Sequence, residues 1–323
     1  MNMNMKMKKL IPAALILLVV GALIAVAALF SMKFDFHRLG TRTTVTNTYA
    51  PTGEFRDILV SVDTAEVSFL PAEDGKLKVV CVEEKGSEHI VSTLSGKLTI
   101  QEVDTRNWLE RFGVSTEKTS VTVYLPGKEY GLLNLGAHTG DVTVPANFRF
   151  ERVVMTASTA DIDFRAGVEG SVEIRTSTGD ITLGGIRASS LELTASTGHI
   201  RVSDSVIEGS VSASAGTGRV FLTDVNCAEA RVRTSTGAVE FTRVLASDAL
   251  RAETTTGDVR FDRSDAPEIW AETDTGDVTG TLLTPKIFEA DTDTGKVKLP
   301  RSEPGGYCTL KSDTGDFVLE IAP

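Results

Sequence analysis

Aromatic residues are scarce in this chain, 6% of 323 residues with two tryptophans, which argues against helices packed on a ring-lined core. Val, Thr, Ser, Ala and Gly take their place, a composition suited to many short strands closed by tight turns. Positive charge is the minority: 33 Lys and Arg stand against 44 Asp and Glu, for a formal net charge of -11. With no basic stripe, a nucleic-acid backbone is excluded as partner. No Gly-rich phosphate loop joins a strand to a helix, so a nucleotide-cofactor enzyme is excluded too. Cysteine is almost absent; three thiols cannot all pair, and all three are expected to be free. The 41% hydrophobic content is nonetheless enough for a substantial core.

One long apolar run exists, residues 10–30, without a charged residue. As a helix rising about 1.5 Å per residue it would cross roughly 30 Å of hydrocarbon. Lys6, Lys8 and Lys9 precede it and outweigh Lys33 and Arg38 beyond it, so the reading is a single-pass cell-membrane protein. It has a cytoplasmic tail over residues 1–9 and an extracytoplasmic remainder. The rival is a cleaved signal peptide, with Ala25-Val26-Ala27 as the small-x-small site. Residues 31–57, rich in Thr, read as a juxtamembrane linker.

What recurs is a Thr-Gly pair. Its glycines are Gly140, Gly179, Gly198, Gly218, Gly237, Gly257, Gly276, Gly295 and Gly315, and Ala160 fills the one gap, every step being 19 or 20 residues. A fixed period in this range is the signature of a solenoid, whose units bury their apolar faces only by stacking. Apolar residues alternate on both sides of each glycine: Val172 and Ile174 before Gly179, Ile181 and Leu183 after it. This is the period of two short strands with one face inward. A further apolar residue about seven beyond, such as Ile186, Val225 or Val244, would plug a third side. The glycine then marks a corner taken with positive φ. An array of antiparallel hairpins is the alternative. Ten units fill residues 137–323, and residues 58–136 read as irregular N-terminal coils interrupted by the loop holding Trp108 and Phe112.

The segments SVDTAEV around Ala65, SGKLTI before Gln101, VTVYLPGKEYGLLNLGAHTGDV and the serial T-S-T-G-D-[IV] corners together resemble the bacterial putative-adhesin family of β-strand-repeat proteins, LiaG-like in architecture. The resemblance implies a right-handed parallel β-solenoid (β-helix) behind one N-terminal membrane span, and a role at the cell envelope. It brings no catalytic residues.

Chemistry on such a rod would lie in its outward columns. His199 follows a corner glycine with Asp180 and Arg219 as ladder neighbours and Ser196 nearby, the residue types of a base and a nucleophile; solvated polar columns produce such pairs by chance, and no oxyanion site accompanies this one. Near the C-terminal end carboxylates stack, and Asp274, Asp277, Asp291 and Asp293 form a candidate Ca²⁺ site, although Lys296 and Lys311 offer neutralisation instead. Phe317, Leu319 and Ile321 alternate as an inward-facing strand and the sequence stops at Pro323 without an obvious cap, so the last coil is expected to present an uncapped edge for end-to-end self-association or a partner, with Trp270 contributing. The functional expectation is a non-catalytic binding or structural module contacting envelope polymer or another membrane protein. An accessory to envelope-stress signalling is the alternative, and a carbohydrate-active β-helix enzyme a third reading.

Overall fold

The computed structural model describes residues 18–23, 26, 43–106 and 117–323. Among them twenty-eight strands, β1 to β28 in chain order, join into one continuous sheet system, and most pairings are parallel between residues about one period apart. The hairpin-array alternative is thereby set aside for the repeats.

One coil shows why the sequence folds this way. In β13 (Ser171–Thr178) Val172, Ile174 and Thr176 point inward. The chain turns at Gly179, runs through β14 (Ile181–Gly184) with Ile181 and Leu183 buried, and turns again at Gly185. Ile186 and Ala188 then close the third side. The next coil lies in register on it, Val172 against Leu191 and Ile181 against Ile200. Each branched or long aliphatic side chain so buried contributes roughly 1.5–3 kcal/mol of transfer free energy. Val225 and Val244 are likewise fully buried on the third side.

The second corner has no sequence signature. Six residues beyond the Thr-Gly glycines, Gly185, Asp204, Asp224, Arg243 and Arg263 all adopt left-handed backbone, with φ between 48 and 68°. Asp tolerates that conformation better than most side chains, whereas Arg has no such local advantage. Arg243 is held there by two hydrogen bonds of 2.6 Å to the carboxylate of Asp224 on the preceding coil.

The ends of the rod depart from sequence order. β23 (Glu268–Thr275) pairs with β27 (Tyr307–Thr314), and β27 pairs with β25 (Ile287–Thr294). On the adjoining face β24 (Val278–Leu282), β28 (Phe317–Ile321) and β26 (Val297–Lys298) repeat the arrangement. The final coil is therefore slotted between the two that precede it in sequence. Phe317 and Leu319, expected at an open end, are buried; the outermost layer is the coil of β25 and β26, where Ile287 and Val297 are exposed. The other end does the same. β2 (Asp57–Val62) lies between β6 (Lys97–Asp104) and β8 (Glu129–Thr139), and β3 (Glu66–Pro71) between β7 (Ser120–Leu125) and β9 (Val142–Val144).

Antiparallel strands finish the N-terminal end. β5 (Ser87–Leu94) pairs with β6, β4 (Lys78–Glu84) with β7, and β1 (Thr44–Tyr49) with β4. Part of the Thr-rich stretch read as a linker is thus an edge strand, and Phe55 from the same stretch is buried in the core. Residues 18–23 and 26 are helical. Most of the apolar run, and the loop with Trp108 and Phe112, lie outside the described residues; among those described, no helix is long and apolar enough to cross a membrane.

Candidate functional site

The Thr-Gly-Asp corner is the feature the sequence repeats, and its polar groups can be accounted for one by one. The glycine N–H donates to the carbonyl of the Thr before the next corner: Gly218 to Thr236 and Gly237 to Thr256, each at 2.9 Å. The glycine carbonyl accepts from the buried Thr hydroxyl three positions before the next glycine, as Gly218 does from Thr234 at 2.9 Å and Gly237 from Thr254 at 3.0 Å. The amide after the glycine donates to the carboxylate of the equivalent Asp one coil back: Asp180 to Asp161 at 2.7 Å, Asp277 to Asp258 at 2.9 Å, Asp316 to Asp277 at 2.8 Å. Buried backbone groups need partners. In T-S-T-G-D the first Thr and the Asp supply them.

Glycine is required here for two reasons. From Gly140 to Gly276 the Thr-Gly corners have φ between 127 and 153°, a region that side chains resist. In addition, a Cβ on Gly218 would lie 1.9 Å from the carbonyl oxygen of Gly198, and one on Gly315 1.8 Å from that of Gly276. Gly315 has no such φ, so at that coil close approach alone demands glycine.

His199 takes the place of the ladder aspartate. Its own N–H donates to Asp180 Oδ1 at 2.7 Å, and its Nδ1 accepts from the Arg219 amide at 2.9 Å. The acceptor role of Nδ1 places the proton of the neutral ring on Nε2, and the imidazole is spent on the backbone. Burial pushes the Asp180 carboxyl up, but the His199 amide and the Arg201 guanidinium, 2.7 Å away, outweigh it and hold the group below the ordinary carboxylate range.

The four candidate Ca²⁺ ligands are not brought together. Because the coil of residues 307–321 intervenes, the ladders read Asp274, Asp313, Asp293 and Asp277, Asp316, Lys296. Asp274 and Asp277 lie two layers, roughly 9.6 Å, from the coil of Asp291 and Asp293, whereas Ca²⁺ ligands sit about 2.3–2.6 Å from the ion. Lys311 stands between Glu272 and Asp291 and places its Nζ 4.8 Å from the Trp270 ring centroid.

What remains outward at the corner is a pair of columns, Ser177 and Thr178, Ser196 and Thr197, Ser235 and Thr236, Thr255 and Thr256, all exposed. Beside them run cross-coil ion pairs, Arg175 with Glu192 and Arg233 with Glu253; at such exposure each is worth about 0–1 kcal/mol. The surface is a repetitive polar strip with a shallow, open depression lined by Arg233, Ser235, Glu253, Thr255, Glu272 and Asp274. The residues missed by sequence reasoning lie elsewhere: Cys81, Glu83 and His89 meet in the antiparallel N-terminal layer, all buried. No recognisable motif spacing marks them.

The molecule is thus a parallel β-solenoid whose recurrent motif is consumed by its own corners. It belongs to the Toastrack DUF4097 family, whose model matches residues 55–320. No curated protein matches the sequence. Similar solved structures include a putative adhesin from Parabacteroides distasonis, 14% identical over 72% of this chain and 98% of its own, with a TM-score of 0.49. A putative lipid binding protein from the same organism is 14% identical over 75% and 95%, with a TM-score of 0.48. A putative adhesin from Parabacteroides merdae is 13% identical over 75% and 97%, also at 0.48.

Proposed function

We propose that the chain is a non-catalytic rod, anchored in the cell membrane by residues 10–30 and displayed outside the cell, that binds or braces envelope material in the manner of an adhesin. One observation carries this reading. The polar groups of the repeated corner are spent on neighbouring coils, and the hydroxyl columns left over are exposed and spaced at the inter-strand distance of about 4.8 Å, along a shallow, open and polar surface. Such a strip matches an extended polymer better than a small molecule, which calls for a concave and mostly apolar pocket. The lysines before the apolar run favour a cytoplasmic tail.

Crosslinking of the intact protein in native membranes, with mass spectrometry of what is captured, tests the proposal. Capture of envelope polymer, or of further copies of the chain, is expected. A single recurrent membrane-protein partner would replace it with an accessory role in envelope signalling, and glycan cleavage by the purified chain would overturn the non-catalytic assignment. Accessibility of the thiol introduced by Ser177→Cys to a membrane-impermeant thiol reagent in whole cells, against the wild-type chain with its three buried cysteines, checks the display.

A further inference from the structure

Cys81 and Glu83 alternate onto the same inner face of β4, and His89 comes back onto it from β5. Each offers a ligand atom, and the three atoms lie within 4.8 Å of one another. Relative exposures of 0%, 1% and 4% put the whole group out of water.

The protein satisfies this cluster unevenly. Glu83 is well supplied: it accepts from Asn47 Nδ2 at 2.9 Å, from the Tyr49 hydroxyl at 3.2 Å and from the His89 amide at 3.0 Å. The ring of His89 is not. Its Nδ1 lies 3.2 Å from Glu83 Oε1, and its Nε2 is buried without a partner. A neutral imidazole has one donor and one acceptor, so whichever tautomer is present, one of them goes unmet in a dry interior, a cost of about 1–3 kcal/mol. A thiol beside it adds a soft donor atom.

We propose that Cys81, Glu83 and His89 form a binding site for one divalent cation of borderline softness, of the Zn²⁺ class. Thiolate, imidazole and carboxylate are the donors that such ions take, at about 2.0–2.3 Å, whereas Ca²⁺ and Mg²⁺ require oxygen throughout. Ligands around a tetrahedral ion at those lengths lie about 3.3–3.7 Å apart, so three ligand atoms already within 4.8 Å of one another need draw in only by about 1 Å. Three protein ligands leave a fourth position. Asn47 and Tyr49 steady the carboxylate from outside, the outer-shell role that tunes metal sites. Loading the site exchanges the Cys81 thiol proton for the cation, so binding releases a proton. Entry would run past β1, a strand of six residues that among the described residues pairs with β4 alone.

The test uses the full chain in detergent, stripped with a chelator and titrated with Co²⁺ as spectroscopic probe. Expected are a thiolate-to-cobalt charge-transfer band, intense tetrahedral ligand-field bands saturating at about one ion per chain, and displacement by Zn²⁺ with a rise in Tm. Cys81→Ala is expected to abolish the charge-transfer band and His89→Gln to weaken or shift it, while Cys227→Ala and Cys308→Ala leave it intact. Circular dichroism reports whether each variant keeps its β-structure. Absence of the band in the wild-type chain, or its survival in folded Cys81→Ala, overturns the proposal, and the wild-type titration decides the matter if neither variant folds.

Discussion

Replacing single corner glycines by alanine separates the two reasons a glycine stands there. Gly185→Ala introduces strain alone: φ is +68° and nothing lies within 4 Å of the new Cβ, so roughly 1 kcal/mol is expected. Gly315→Ala introduces contact alone, 1.8 Å from the Gly276 carbonyl oxygen. Gly218→Ala combines both, with φ of +151° and a 1.9 Å approach to Gly198. An acceptable C···O separation is about 3.3 Å, so neighbouring coils would have to part by about 1.4 Å. They are held by backbone hydrogen bonds of 2.9 Å, and overpacking of this kind costs about 1–3 kcal/mol or more. Adding about 1–3 kcal/mol for the backbone region gives about 2–6 kcal/mol for Gly218→Ala, against about 1–3 kcal/mol for Gly315→Ala. Urea unfolding followed by circular dichroism measures all three. If Gly218→Ala costs no more than Gly185→Ala, the stacked-carbonyl argument fails.

Other perturbations follow from the same geometry. Lys286, fully buried with its Nζ 2.6 Å from Asp265 Oδ1, ties the loop that skips a layer; Lys286→Met should cost about 3–5 kcal/mol in chemical unfolding, and adding Asp265→Leu should restore much of it. The depressed carboxyl of Asp180 gives stability that is fully present above its unfolded pKa of about 3.9 and is lost as pH falls through the lower folded value. Thermal melts should therefore show the gap between wild type and Asp180→Asn closing below about pH 4. Burial raises Cys81, Cys227 and Cys308 to about 12 each, so a thiol reagent at pH 8 should label none of the three until denaturant is added. Millimolar Ca²⁺ should leave Tm unchanged, since its four candidate ligands are divided by a layer.

The repeat was open to reading because it imposes one rule on the coils: two inward residues on either side of a corner that is glycine in every unit but that of Ala160. The plug residues Ile186, Val225 and Val244 follow from the same periodicity. The second corner was hidden because Asp204, Asp224, Arg243 and Arg263 reach left-handed backbone without glycine, supported by neighbours that no local pattern reveals. The order of the terminal coils was hidden for a different reason. Any two units of such a repeat can stack in register, so the pattern that makes Thr275 fit Thr294 fits it equally to Thr314, and only the connecting loops decide. Cys81, Glu83 and His89 escaped notice because the strands that gather them are antiparallel and stand outside the period.

The inserted final coil bears on how the chain is made. A ribosome releases residues 287–298 before residues 307–321, and the earlier segment finds the exposed top of the preceding coil complementary to it. Closing over that surface at once would shut out the strand still to come. The finished arrangement therefore requires the penultimate coil to wait, or to let go again, until the last twenty residues have been released. Growth of the rod from one end, one turn per period, accounts for the middle of this molecule but cannot complete it.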